Sequence, residues 1–518
     1  MQQADLILRN GDIWTNTGAP VRSVAVVEGR IAAVGDDAEK LAGPKTRVIE
    51  LGGHTVLPAL TDAHAHLFGL GMALDQVDLR GCSSPDECAA RVKVHADREW
   101  ILGRGWDQNR WDEKAFPTHA VLDRVVADKP VWLRRVDGHA GWANAKALAM
   151  GGVTRATKDP SGGRIERDSK GEPTGVLVDE AMGLVERAMP APSEAARERM
   201  ILAAQDAALA QGLTCVHDMG IDETTAGVYR ALEKSGKLRI RVYAFASAGA
   251  GERLLAKSPE PAGPLFTMRA IKLYADGALG SRGAALLAPY TDDPKNTGLV
   301  IQPAEEIERV ARLALARGWQ VGVHAIGDRA NRTVLDAYER AGCAVARDHR
   351  FRIEHAQVVE PSDIPRFAKL GVIASMQPTH ATSDMPWAEA RLGKDRLVGA
   401  YAWRRFLDAG AHVAFGSDFP VEMVDPTAGL YAAVTRQDAQ GQPPGGWLPD
   451  QKLTLAEAVR AFTAEAAFAA FQEADRGRVA VGQVADLTIF DRAIDAKTLS
   501  GAKIALTIVA GRVVFEHR

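Results

Sequence analysis

Between residues 57 and 470 the chain alternates two kinds of apolar pattern, and a glycine separates them each time. Residues 303–317 place apolar side chains at helical spacing behind Pro303, with Glu305 and Glu306 in the first turn. Gly318 then fits a helix terminator, and residues 320–324, Gln-Val-Gly-Val-His, read as the next strand. The unit recurs as a helix over 361–370, Gly371 and a strand over 372–376, and as a helix over 399–409, Gly410 and a strand over 411–415. A helix over 193–211, Gly212 and a strand over 213–216 repeat it again. Strands that alternate with helices of this length require parallel crossovers, and this number of them predicts a (β/α)8 TIM-like barrel. Periodicity does not show closure, so an open doubly wound sheet is the other arrangement of the same units.

The two ends follow a different rhythm. Residues 4–9, 24–27 and 30–34 are short apolar runs punctuated by Asn10-Gly11 and Glu28-Gly29, and residues 485–490, 504–509 and 512–515 repeat that style. Neither set buries both faces of a sheet alone, so the ends are expected to combine as one discontinuous β-sandwich domain, 1–56 plus 471–518, with the barrel inserted as 57–470. Residues 68–187 are too long for one crossover. They hold Trp100, Trp106, Trp111, Trp132 and Trp142, half of the ten tryptophans, and are expected to contain a large insertion together with the second barrel strand at 131–136. Two uses of the tryptophans stand open, a roof over the mouth of the barrel or a core of the insertion's own.

Charge and composition narrow the class of partner. The net charge of −3 over 518 residues comes from interspersed acids and bases with no basic block, which argues against nucleic acid. The four cysteines show no paired metal spacing, and so few in so long a chain fit free thiols in a reducing compartment. The start of the chain lacks a basic segment followed by a long apolar one, and no apolar stretch is long enough for a bilayer, so no membrane partner and a cytoplasmic location are expected. Twofold symmetry is the commonest oligomeric arrangement, which makes a homodimer the default expectation.

The candidate chemistry gathers at strand ends. In Thr61-Asp-Ala-His-Ala-His66, two histidines at i and i+2 share one face of a strand about 6.5–7 Å apart, which suits convergence on one metal ion. Lys272, His324, His355 and Asp418 each sit at the end of a further apolar run, and in a barrel those ends meet at one mouth. Imidazole nitrogen and carboxylate oxygen are ligands for Zn2+ and similar divalent ions. An ammonium in an apolar strand is costly, so Lys272 either pairs with a carboxylate such as Asp276 or is converted by CO2 to a carbamate able to bridge two ions. His139, Trp142 and Asn144 follow the strand expected at 131–136, Arg282 follows the Lys272 strand, and Trp106 lies in the insertion; all are candidate substrate contacts, with packing as the alternative. His217 ends the run 213–216 and is a further pocket candidate. His54, His95, His119, His349, His380, His412 and His517 lack strand-end placement and receive no role.

The order His64-x-His66, Lys272, His324, His355 and Asp418, inside a split β domain, resembles the metal-dependent amidohydrolase superfamily. Four segments resemble its YtcJ-like branch, the amidohydrolase 3 family, which includes N-substituted formamide deformylase. They are Leu57-Pro-Ala-Leu-Thr-Asp-Ala-His-Ala-His66, Asp137-Gly-His-Ala-Gly-Trp-Ala-Asn-Ala-Lys-Ala147, Asp276-Gly-Ala-Leu-Gly-Ser-Arg-Gly-Ala284 and Phe415-Gly-Ser-Asp-Phe-Pro420. The resemblance implies that His64 and His66 hold a more buried metal and His324 and His355 a more exposed one. It also implies that Lys272 bridges as a carbamate and that Asp418 binds metal and handles protons. Ala59 and Glu465 depart from the family's usual glycine and asparagine at positions that leave this set intact. The implied reaction is hydrolysis of a carbon–nitrogen bond in a small non-peptide amide, an N-formyl or N-acyl compound or a cyclic imide, with one or two divalent ions, Zn2+ foremost. A bound ion lowers the pKa of its water toward about 7. Asp418 takes the proton and returns it to the leaving nitrogen, and His355 or His139 supports the oxyanion. A mononuclear deaminase, an ester or lactone hydrolase on the same scaffold, and a non-catalytic metal-binding protein are the alternatives.

Overall fold

Eight strands form the central sheet of the computed structural model, which describes residues 3–96, 98–346 and 348–517. They are β1 (Thr61–Ala65), β2 (Cys215–Ile221), β3 (Arg241–Ala246), β4 (Phe266–Tyr274), β5 (Gln320–Ala325), β6 (Arg352–His355), β7 (Ile373–Met376) and β8 (Val413–Phe415). Each pairs in parallel with its neighbour in sequence order, from β1 through to β8. All residues of β1, β5, β6, β7 and β8 are buried, as expected when helices cover the outside and side chains fill the inside.

The seam between β8 and β1 decides closure. The Asp418 N–H donates to the His64 carbonyl at 2.7 Å and the His66 N–H to the Phe419 carbonyl at 2.8 Å, so the last strand's exit joins the first strand. The Asp62 carboxylate accepts the Ser417 N–H at 3.0 Å and its hydroxyl at 2.6 Å. Gly416 permits this approach, because a Cβ there would lie 2.4 Å from the His64 nitrogen and 2.5 Å from Asp62 Oδ1. The ring is therefore a barrel and not an open sheet.

The helix, glycine, strand units form as their sequence dictates. The helix Ala304–Arg317 stops where Gly318 takes φ +77°, a left-handed conformation that costs glycine nothing, and β5 starts two residues later. Only part of 399–409 is α-helical, as Trp403–Asp408, after a 3-10 segment at Lys394–Gly399.

The chain ends supply two further sheets. One joins Leu6–Arg9, Val24–Val27, Arg30–Val34 and Arg47–Glu50; the other joins Asp12–Ile13 and Thr55–Pro58 to the late strands Leu487–Phe490, Ile504–Val509 and Arg512–Glu516. Leu6, Leu8, Val24 and Ile31 of the first share one core with Val56, Leu487, Ile489 and Ile508 of the second, so neither terminus buries its apolar face without the other. Asp486 ties this core to the barrel through a buried ion pair with Arg241 of β3 at 2.6 Å. No helix among the described residues is long and apolar enough to cross a membrane.

Residues Phe68–Ala203 form a second compact unit. Its six-stranded sheet runs in the order Gly163–Arg167, Pro173–Asp179, Ala140–Ala143, Val131–Arg135, Ile101–Trp106 and Val77–Asp78. The segment expected as the second barrel strand is thus Val131–Arg135 of this sheet, paired in parallel with Ile101–Trp106, and the barrel's second strand is β2. A continuous apolar run reads the same in either sheet; only its hydrogen-bond partners separate the two. Trp106, Trp111 and Trp142 pack against one another in the unit's own core, with ring centroids 6.0 and 6.2 Å apart.

Candidate metal centre

Five strand ends bring one set of polar side chains together. Ligand-type atoms of His64, His355 and Asp418 lie within 4.8 Å of one another. The His355 ring centroid is 4.6 Å from those of both His64 and His324, and the His66 ring is 5.7 Å from His64. Asp418 Oδ1 sits 3.2 Å from His66 Nε2 and 3.6 Å from His64 Nε2, while Lys272 Nζ is 3.5 Å from His64 Nε2. The backbone is strained here: His355, Ala356 and Asp418 take φ of +75°, +42° and +61°. Such residues cost about 1–3 kcal/mol each and persist where the surrounding structure over-determines them.

The imidazoles are oriented from behind. His64 Nδ1 meets Glu354 Oε2 at 2.6 Å, and Glu354 is clamped by Arg352 Nε at 2.8 Å, with all three side chains at most 1% exposed. His66 Nδ1 donates to the Met219 carbonyl at 3.1 Å, and His355 Nδ1 donates to Gln377 Oε1 at 2.8 Å. These partners fix Nδ1 as the protonated nitrogen and leave Nε2 as a lone-pair donor, the arrangement that metal-binding histidines adopt. His324 Nε2 lies 3.3 Å from the Gly277 carbonyl.

Electrostatics favour the same donor set. Burial, then the charge of Lys272, lowers His64 to about 4, and burial with His324 and His64 beside it holds His355 well below the usual imidazole range. Both rings are therefore neutral bases near pH 7. Burial pushes the Asp418 carboxyl up, but the side-chain contact with His66 foremost holds it well below the ordinary value, so the group is ionised. Among the described residues, Asp418 Oδ1 is nevertheless buried with no hydrogen-bond partner. An ionised carboxylate oxygen left unsatisfied beside the neutral rings of His64 and His355 is costly unless a cation completes it, so the residues fit a divalent ion. Burial lowers Lys272 to about 8. The Asp276 carboxylate accepts the N–H groups of Ala285, Ile326 and Gly327 at 2.8–2.9 Å.

The remaining candidates have partners of their own. Trp106 and Trp142 are fully buried in the insertion's core and donate to the carbonyls of Leu133 and Thr118, and Asn144 is a buried helix cap that accepts the Ala147 N–H at 2.9 Å. These three pack and cap; they present no surface to a ligand. His139, also in the insertion, donates from Nδ1 to Asp179 Oδ1 at 2.8 Å. Arg282 holds Asp292 through two contacts of 3.1 and 3.0 Å. His217 is sealed inside the barrel beside Arg352 at 2.9 Å, so it is not a pocket residue. One histidine without an assigned role does reach the centre: His380, on the helix Pro378–Asp384 after β7, places Nε2 3.7 Å from Asp418 Oδ2 and stacks on His355 at 5.9 Å. The signal for it was its position four residues past the last residue of β7. Glu354, the residue before His355, was legible only as part of an apolar strand.

Comparison with known proteins places the chain and its fold in one class. The amidohydrolase family matches residues 47–515. YtcJ of Bacillus subtilis is 34% identical over 527 residues, covering 98% of this chain and 99% of its own. N-substituted formamide deformylase of Arthrobacter pascens is 29% identical over 553 residues, covering 100% and 99%. A crystal structure of an uncharacterized metal-dependent hydrolase from Pyrococcus horikoshii superposes with a TM-score of 0.80 at 29% identity, over 99% of this chain and 100% of that one. The chain belongs to the amidohydrolase family, a family of metal-dependent hydrolases.

Proposed function

We propose that this protein hydrolyses a carbon–nitrogen bond of a small non-peptide amide, with N-formyl and N-acyl amines and cyclic imides as the substrate classes and one or two divalent ions, Zn2+ foremost, as cofactor. The observation that carries the reading is the buried, unpartnered Oδ1 of Asp418 facing the imidazoles of His64 and His66. The full-length likeness to N-substituted formamide deformylase supports the N-formyl class.

His64, His66, His324, His355 and Asp418 would hold the metal. When bound, a divalent ion polarises the substrate carbonyl and lowers the pKa of water toward about 7. Glu354, Met219 and Gln377 keep the three imidazoles from turning, so the donor atoms stay directed at one point. Asp418 accepts the proton of the attacking water at a carboxylate oxygen and passes it to the leaving nitrogen, because an amine leaves poorly unless protonated. With Lys272 lowered to about 8, a fraction of its amine is neutral near pH 7 and open to CO2. Joining Nζ to the carbon of CO2 with loss of one proton gives a carbamate, and its two oxygens would serve a second ion.

The test is a hydrolysis screen of the zinc-loaded protein against N-formyl amines, N-acyl amines, cyclic imides, esters and lactones. Turnover concentrated on the N-formyl and N-acyl amines is the expected result. Turnover confined to esters or lactones would remove the carbon–nitrogen assignment, and none at all with metal retained would favour a binding protein.

A further inference from the structure

We propose that Tyr274 is a further catalytic residue, its phenol hydroxyl donating a hydrogen bond to the oxygen of the scissile carbonyl as negative charge gathers there. The inference rests on the hydrolytic reading above and adds a group to which that reading assigns nothing.

Tyr274 is the last residue of β4, two beyond Lys272, so the two side chains leave the same face of the strand. Its ring leans on His324, with centroids 5.6 Å apart, and Lys272 Nζ lies 5.1 Å from its centroid. From there the hydroxyl reaches across toward the end of β2. A Cβ placed on Gly220 would meet the Tyr274 hydroxyl at 3.6 Å and no other atom within 4 Å. Gly220 follows Met219, whose carbonyl holds His66. The hydroxyl thus stands between the elements that carry His66 and His324, on the accessible side of the centre, whereas His64 and Lys272 are each only 1% exposed.

Its placement is rigid. The Tyr274 N–H donates to Gln302 Oε1 at 2.7 Å and its carbonyl accepts the Gln302 N–H at 3.1 Å, which pins the backbone on both sides of the ring. The residue is partly buried, whereas Lys272 on the same face is sealed. His64, His66 and His355 are committed as lone-pair donors through Nε2, His324 Nε2 is turned to the Gly277 carbonyl and Asp418 is an acceptor, so a fixed hydroxyl beside them supplies a donor that these groups do not. A phenol hydroxyl keeps its proton at neutral pH and supplies one. Donors fixed where charge develops act without reorganisation.

Tyr274→Phe removes the hydroxyl and keeps the ring on His324. Loss of one such donor is expected to lower kcat about 10²–10³-fold, with KM, zinc content and Tm essentially those of the wild type. A second arm uses methylphosphonate, a tetrahedral anion, titrated into the zinc-loaded proteins; the variant is expected to bind it at least tenfold more weakly, about 1.4 kcal/mol. Unchanged kcat together with unchanged phosphonate binding overturns the assignment, as does binding by neither protein, and a fall in zinc content would transfer the tyrosine to the support of the metal ligands. If the wild type cleaves no amide, the hydrolytic reading fails by itself, and the phosphonate arm still decides whether Tyr274 serves an oxyanion.

Discussion

The barrel mouth and the insertion sheet both carry histidine, aspartate and arginine near strand ends, yet they use them in opposite ways. In the insertion the polar groups are matched within the protein: His139 with Asp179, Arg135 with Asp107 and Asp137, and the indole N–H groups of Trp106, Trp111 and Trp142 with backbone carbonyls. At the mouth five imidazoles and a carboxylate crowd within a few ångströms, Asp418 Oδ1 has no hydrogen-bond partner among the described residues, and two of the residues sit in left-handed backbone conformations. Residue type at a strand end therefore does not separate a site from a scaffold. What separates them is whether the protein itself completes each buried polar atom.

Four substitutions sharpen this contrast, taken from the largest effect down. Asp418→Asn should reduce turnover by about 10²–10⁴-fold while unfolding by denaturant stays close to wild type, because proton transfer and not packing is lost. Trp106→Ala in the insertion should do the reverse, costing about 3–5 kcal/mol of unfolding free energy with zinc content per folded chain unchanged. Glu354→Gln should weaken zinc binding about 10–100-fold in a chelator competition, since the charged partner that fixes His64 is gone while its shape remains. Asn144→Ala should cost about 1 kcal/mol through the lost helix cap and leave turnover of the remaining folded protein at the wild-type level. A loss of metal in either insertion variant, or none in Glu354→Gln, would blur the line between the two regions.

The sequence made the barrel legible because its units are local: the 3.6-residue period, the terminating Gly318 and the run at 320–324 all lie within some twenty residues. The meeting of His64, His66, His324, His355 and Asp418 was legible for a different reason, since parallel strands of a closed ring must bring their carboxyl ends to one mouth. Val131–Arg135 was misplaced because a doubly buried run carries no mark of its partner strands. Asn144 and Trp142 looked like contacts because nothing in a single chain shows that the first caps a helix and the second fills a core. His380 escaped because it reaches the centre from a helix rather than from a strand end, and Pro378 and Thr379 before it resemble ordinary turn residues.

The central claim is that side chains distant in sequence complete one cation at the barrel mouth, and elemental analysis of the purified protein and of the double variant His64→Ala, His66→Ala tests it most directly. After exhaustive dialysis the wild type is expected to retain one or two divalent ions per chain, and the double variant, still folded by circular dichroism, is expected to lose most of that metal. Equal metal content in the two folded proteins would contradict the account.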